Sequence, residues 1–186
     1  AENVAIRYRS LVLAVCLLTP LTWARNADWS DDMALLEHDY RHGVRERGSL
    51  QALTKGLVVE GRYGRAVEVC RENEKSRLRS GMLSLNCGTA YLLVGDPQRA
   101  EQAFLDATAD EAIRSRAHAN LSYLYVNQGR HDEAGAQLEK AIESEKDPAT
   151  RAYRTGLLLL KRYPDDRARL LEARGHFEEA LRLEPR

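Results

Sequence analysis

Two histidines four residues apart, His38 and His42, are the nearest approach this chain makes to a metal site. A helix puts both imidazoles on one side, but zinc takes three or four ligands. The local order "EHDYRH", Glu37 to His42, is not the HExxH pattern in which two histidines bracket a base. Glu37 and Asp39 do not complete a tetrahedron, so a solvated helix face and no metal are expected. Phosphate chemistry fares no better. "GRYGRA", Gly61 to Ala66, lacks a strand before it and the Lys-Ser/Thr pair after it. "GMLSLNCGTA", Gly81 to Ala90, holds Ser84 between glycines without forming a GxSxG elbow. His118, His131 and His176 are scattered and expected at the surface. With no catalytic set and no cofactor motif, the chain is expected not to be an enzyme.

The bulk composition agrees with a binding role. The 186 residues carry 28 basic and 28 acidic side chains, 44% hydrophobic content, and only five prolines. Neutralising a polyanion needs a basic excess, so nucleic acid is not an expected partner. Ala, Leu, Glu and Arg dominate, which favours helices over sheets.

The first 27 residues differ from the rest. Arg7 and Arg9 precede the apolar run "LVLAVCLLTPLTW", Leu11 to Trp23, with small residues at Ala24 and Ala27. A basic flank, a short apolar stretch and a small-residue exit form a secretory signal pattern. The run is shorter than the roughly 20 apolar residues of a membrane span. Residues 1–27 are therefore expected to be a cleavable signal, giving a periplasmic protein without a stable span. The alternative is an uncleaved anchor in the inner membrane. "LAVC", Leu13 to Cys16, lacks the small residue that a lipid-acylation box requires at Val15.

What organises the remainder is a period of 34 residues. Gly61, Gly95 and Gly129 are equally spaced, as are Ala66, Ala100 and Ala134, and Cys70, Phe104 and Leu138. Upstream, Thr54, Gly88 and Ser122 hold a small residue, and Leu57, Tyr91 and Tyr125 a large one. Such a period marks stacked supersecondary units, none of which buries its apolar face alone. Apolar residues recur at helical spacing on both sides of each Gly, which predicts two helices broken at a residue free to adopt positive φ. Asp96 is expected to cap the second helix of one unit, with Pro97 in its first turn.

These columns resemble the tetratricopeptide repeat. One unit supplies Gly88, Tyr91, Gly95, Ala100, Phe104 and Ala107; the next supplies Ser122, Tyr125, Gly129, Ala134, Leu138 and Ala141. The first unit is weaker, with Leu57 for Tyr and Asn73 for the later Ala. A fourth offers Gly156, then Ala173, Phe177, Ala180 and Pro185, its halves five residues too far apart. The resemblance implies an all-α, right-handed α-solenoid over residues 47–186. Its repeats fall at about 47–80, 81–114, 115–148 and 149–186, with the insertion near 162–169. Asp165 or Asp166 is expected to cap the last helix. Residues 28–46 form a leader helix, with Ser30 as its cap and Trp29, Met33, Leu36 and Tyr40 on one face. Either Arg182, Glu184 and their neighbours give the last helix a polar outer face, the reading favoured here, or a partner covers this end.

The resemblance also places function on the inner wall, built from the first helix of each pair. Carried onto this chain, the family's inward positions include Gln51, Lys55, Val59, Met82, Leu85, Asn86, Thr89 and Leu93. From the later repeats they include Arg116, Asn120, Tyr123, Asn127, Tyr153, Arg154 and Leu157. Amides there suit an extended backbone, tyrosines give flat apolar contact, and Lys55, Arg116 and Arg154 give positive charge. The Lys and Asn that clamp a C-terminal carboxylate in some members are absent. In such a stack Cys70 and Cys87 occupy neighbouring core columns, so either a disulfide or two buried thiols is expected. The function implied is a protein–protein scaffold in the cell envelope, holding a protein or peptide partner, with pilus or secretion assembly first among the family's exported roles. The alternatives are a structural subunit docked by its outer surface or C-terminal helix, and a membrane-anchored cytoplasmic adaptor.

Overall fold

The computed structural model describes residues 32–184, and every element in that range is helical. The expected signal segment, Trp29, Ser30 and Pro185 lie outside it. A leader helix α1 (Asp32–Arg41) precedes four antiparallel pairs: α2 (Arg47–Val59) with α3 (Tyr63–Glu72), α4 (Gly81–Leu93) with α5 (Pro97–Ala107), α6 (Arg114–Asn127) with α7 (His131–Glu143), and α8 (Pro148–Arg162) with α9 (Arg167–Leu183). Each second helix also packs on the first helix of the next pair, which makes an α-solenoid of helix-turn-helix repeats.

The 34-residue columns have direct structural causes. Gly61, Gly95 and Gly129 each adopt φ between 73° and 82°, turning the chain from the first helix of a pair into the second. Gly43 does the same after the leader helix, outside the repeat frame. Gly88 lies under the ring of Phe104: a Cβ there would sit 2.5 Å from the ring carbons. Gly156 stands in the same relation to Phe177, at 2.7 Å. The small residue of the first helix therefore accommodates the aromatic of the second, not the alanine column. Asp96 accepts from the Arg99 amide, with Pro97 opening α5, and Asp166 caps α9 through the Ala168 and Arg169 amides.

The five extra residues of the last pair are distributed. Helix α8 runs on to Arg162, and α9 begins at Arg167, further ahead of Ala173 than the other second helices begin ahead of their alanines, which adds most of a turn at its start.

Asn73 departs from the repeat pattern because it holds the leader. Its amide donates to the Tyr40 hydroxyl at 3.0 Å and to the Val69 carbonyl at 2.8 Å. The Tyr40 hydroxyl in turn donates to Glu72 at 2.5 Å. Met33 fills the space that a side chain at Gly56 would need. Cys70 and Cys87 are joined by a disulfide with Cα atoms 5.7 Å apart, stapling α3 to α4 across a repeat junction. At the far end Arg182 and Glu184 are exposed, but so are Leu171, Leu181 and Leu183, at 52%, 65% and 47%. The exposed surface of α9 is thus apolar as well as polar. No described helix is long and apolar enough to cross a membrane.

Candidate functional site

The inner-wall residues divide by how much of their chemistry the stack consumes. Asn86 donates to the Gln51 carbonyl at 3.1 Å, while the Gln51 amide donates to Ser80 Oγ at 2.7 Å. These two side chains tie the first and second repeats together. Thr89 returns its hydroxyl to the Leu85 carbonyl one turn back, and Leu85 itself is buried.

Arg154 departs most from its expected place on an open wall. Its guanidinium lies in the junction between the third and fourth repeats, 2.6 Å from Glu145 and bonded to the Ser115 hydroxyl. The two charged side chains are only 11% and 14% exposed. Burial alone would raise the Glu145 carboxyl. The Ser115 hydroxyl, the Asp147 and Lys146 amides and Arg154 outweigh it and hold the group below the usual carboxylate range. Arg154 is a structural cation. Sequence reading missed this because Glu145 sits in the loop between repeats, outside every motif column.

The third repeat leaves most of its inner side chains available. Tyr123 is 60% exposed, with Arg116 and Asn127 also exposed and Asn120 partly so. None of these four has a hydrogen bond or ion pair among the described residues. Tyr153 is 51% exposed and tilts against Phe177, ring centroids 5.8 Å apart. Lys55 and Val59 stay exposed on the first repeat, Leu93 on the second, and Met82 and Leu157 are half-buried. The wall therefore presents a central tyrosine flanked by free amides and a free guanidinium. Such a surface offers amide donors and acceptors, a positive charge and a flat apolar ring on one side of α6.

Behind the wall, the repeat junctions are not equivalent. Between the second and third repeats, Glu101 accepts the Tyr125 hydroxyl at 2.7 Å and pairs with Arg130 at 3.1 Å. Arg130 also stacks over the Tyr125 ring, 3.9 Å from its centroid. One junction earlier the place of Glu101 is taken by Val67, and the buried Tyr91 hydroxyl has no hydrogen-bond partner among the described residues. A cavity of about 210 Å³ lies there, bordered by the disulfide, Arg79 and Arg99.

His38 on the leader helix and His42 just past its end stack with ring centroids 4.1 Å apart. His118, expected at the surface, is half-buried against Gln137 at 2.8 Å, and burial pushes its pKa down. No group of three or more His, Cys, Asp or Glu gathers among the described residues in a way that would hold a metal.

Family models of the tetratricopeptide repeat match residues 115–148 and residues 166–183. Among solved structures, the chain is similar to MamA from Desulfovibrio magneticus RS-1, with 20% identity over 91% of this chain and 94% of that one, at a TM-score of 0.61. A thermophilic protein of Thermus thermophilus with the same repeats matches over 89% and 88%, at 18% identity and a TM-score of 0.66. YrrB, described as having an unusual peptide-binding site, matches over 92% and 83%, at 19% identity and a TM-score of 0.57. At these identities the likeness is one of fold. No curated protein matches the chain.

Proposed function

Since the chain is a tetratricopeptide-repeat protein, we propose that it is a non-enzymatic scaffold of the cell envelope, holding a partner polypeptide against its inner wall. One observation carries the reading: Tyr123 is 60% exposed at the middle of that wall, beside Arg116, Asn120 and Asn127, whose polar groups the fold leaves unused. Large aromatics left in the open among unpaired donors mark contact surfaces. The peptide-binding site named for YrrB is in keeping with this, by analogy of fold.

Two features support an envelope location. Residues 1–27 have the pattern of a secretory signal, and the Cys70–Cys87 disulfide suits an oxidising compartment better than a reducing one. A periplasmic chain follows, and pilus or secretion-system assembly is the process we favour among envelope roles. An inner-membrane anchor through an uncleaved Leu11–Trp23 is the alternative. Intact-mass analysis of the native protein separates the two: cleavage near Ala24 or Ala27 supports export by a cleaved signal, and retention of Leu11–Trp23 rules out export by cleavage.

A second reading has its own support. Leu171, Leu181 and Leu183 are exposed on α9, which offers that helix as the docking face of a subunit in a larger complex. Affinity capture from an envelope extract distinguishes the readings. The double variant Tyr123→Ala/Arg116→Glu is expected to lose the partner, while Leu171→Glu/Leu181→Glu keeps it, both remaining helical by circular dichroism. The reverse outcome transfers the interface to α9.

A further inference from the structure

The junction between the third and fourth repeats is open where its neighbour is filled. One repeat after Glu101 and Gln102 the chain places Gly135 and Ala136, and Leu159 stands where Tyr125 stood. A Cβ added at Gly135 meets nothing within 4 Å. The consequence is a cleft of about 610 Å³ with Val126, Ala134, Leu138 and Leu158 among its apolar lining. That volume falls in the range of sites that enclose a ligand group, about 300–1,000 Å³. Lys161, one 34-residue period after the inner-wall Asn127, borders the cleft, as does Val126 beside Asn127, so the wall leads into it. The remaining charged residues at the cleft are His131, Asp132, and the paired Glu139 and Arg162.

The wall that leads into this cleft has one sign of charge. Across the inner-wall positions of all four repeats the charged residues are Lys55, Arg116, Arg154 and Lys161, and none is acidic, in a chain with equal numbers of acids and bases. Glu145 neutralises Arg154. Lys55, Arg116 and Lys161 have no ion-pair partner among the described residues. A one-signed groove favours a partner of opposite sign.

Building on the scaffold reading, we propose that the Gly135 cleft seats one bulky apolar side chain, such as Phe, of an acidic segment lying along the inner wall. The apolar lining supplies the anchor, and Lys55, Arg116 and Lys161 supply the preference for acid.

The full chain, titrated with a capped eight-residue peptide of Asp and Ser bearing one central Phe, tests this. The amides of Gly135 and Leu158 are expected to shift in NMR spectra. Replacing the Phe by Ala is expected to weaken binding about tenfold or more, and replacing each Asp by Lys to abolish it. Gly135→Leu, which fills the cleft, is expected to match the Phe-to-Ala loss while the circular dichroism melt persists. Gly135→Glu, which restores the side chain of the preceding junction, provides a second filled cleft. No binding at millimolar peptide, equal binding of all three peptides, or full binding by both Gly135 variants overturns the inference. Its failure is distinct from that of the scaffold reading. A captured partner lost with Tyr123→Ala/Arg116→Glu but kept by Gly135→Leu removes the anchor alone; a partner kept by both removes the reading.

Discussion

Glu101 and Tyr125 meet across a repeat boundary at 2.7 Å, and the contact locks one helix pair to the next. Burial first, then the hydrogen bond to Glu101, pushes the Tyr125 hydroxyl up to about 12 from an ordinary 10. A group whose folded pKa is raised contributes stability that is complete below its unfolded pKa and is lost as pH rises through the folded value. Chemical denaturation is therefore expected to show stability falling between about pH 10 and 12. Tyr125→Phe is expected to flatten part of that fall and to cost about 1 kcal/mol near neutrality. A Phe variant with an unchanged alkaline profile contradicts the assignment.

Two glycines inside helices are expected to respond in opposite directions to the same substitution. Gly88→Ala forces a methyl against the Phe104 ring and is expected to destabilise by about 1–3 kcal/mol. Gly135→Ala enters open space in a helix and is expected to stabilise by about 0.5–1 kcal/mol. Urea midpoints of the two variants decide the point; equal shifts of the same sign contradict it.

Arg154 is expected to matter for stability and not for binding. Removing it leaves Glu145 nearly buried without its cation, at a cost of about 3–5 kcal/mol. Because Glu145 is held below its usual range, its contribution is present above the unfolded carboxylate pKa and is lost on acidification through the lower folded value. Thermal melts of Arg154→Ala between pH 3 and 7 are expected to show less acid sensitivity than the parent. A variant that melts like the parent but binds the partner poorly returns Arg154 to the wall.

Reduction of the Cys70–Cys87 bond is expected to lower stability by about 3 kcal/mol, the loop-closure value for a span of this length. Denaturant midpoints with and without reductant measure it, and Cys70→Ala/Cys87→Ala controls for reagent effects. Identical midpoints contradict a stabilising role.

Which of these features the sequence carries depends on periodicity. Gly61, Gly95 and Gly129 were legible because the first three pairs leave the first helix through the same left-handed turn, and the period repeats the demand. Asp96 was legible through its neighbour Pro97. Asn73 and Arg154 were not, because their partners, Tyr40 and Glu145, lie outside the repeat columns. The wall was readable only as a set of positions: which side chains stay available depends on bonds such as Asn86 to Gln51, which spacing does not encode. The Gly135 cleft was not legible, because Val67, Glu101 and Gly135 at the equivalent positions share no residue type that a period could expose.

The most direct test of the central claim replaces Tyr123 with a photo-crosslinking phenylalanine analogue in the native host, with a second probe at Leu181. An adduct with a discrete protein from position 123, and none from 181, is the result expected of a partner held on the inner wall. An adduct from 181 with none from 123 contradicts it.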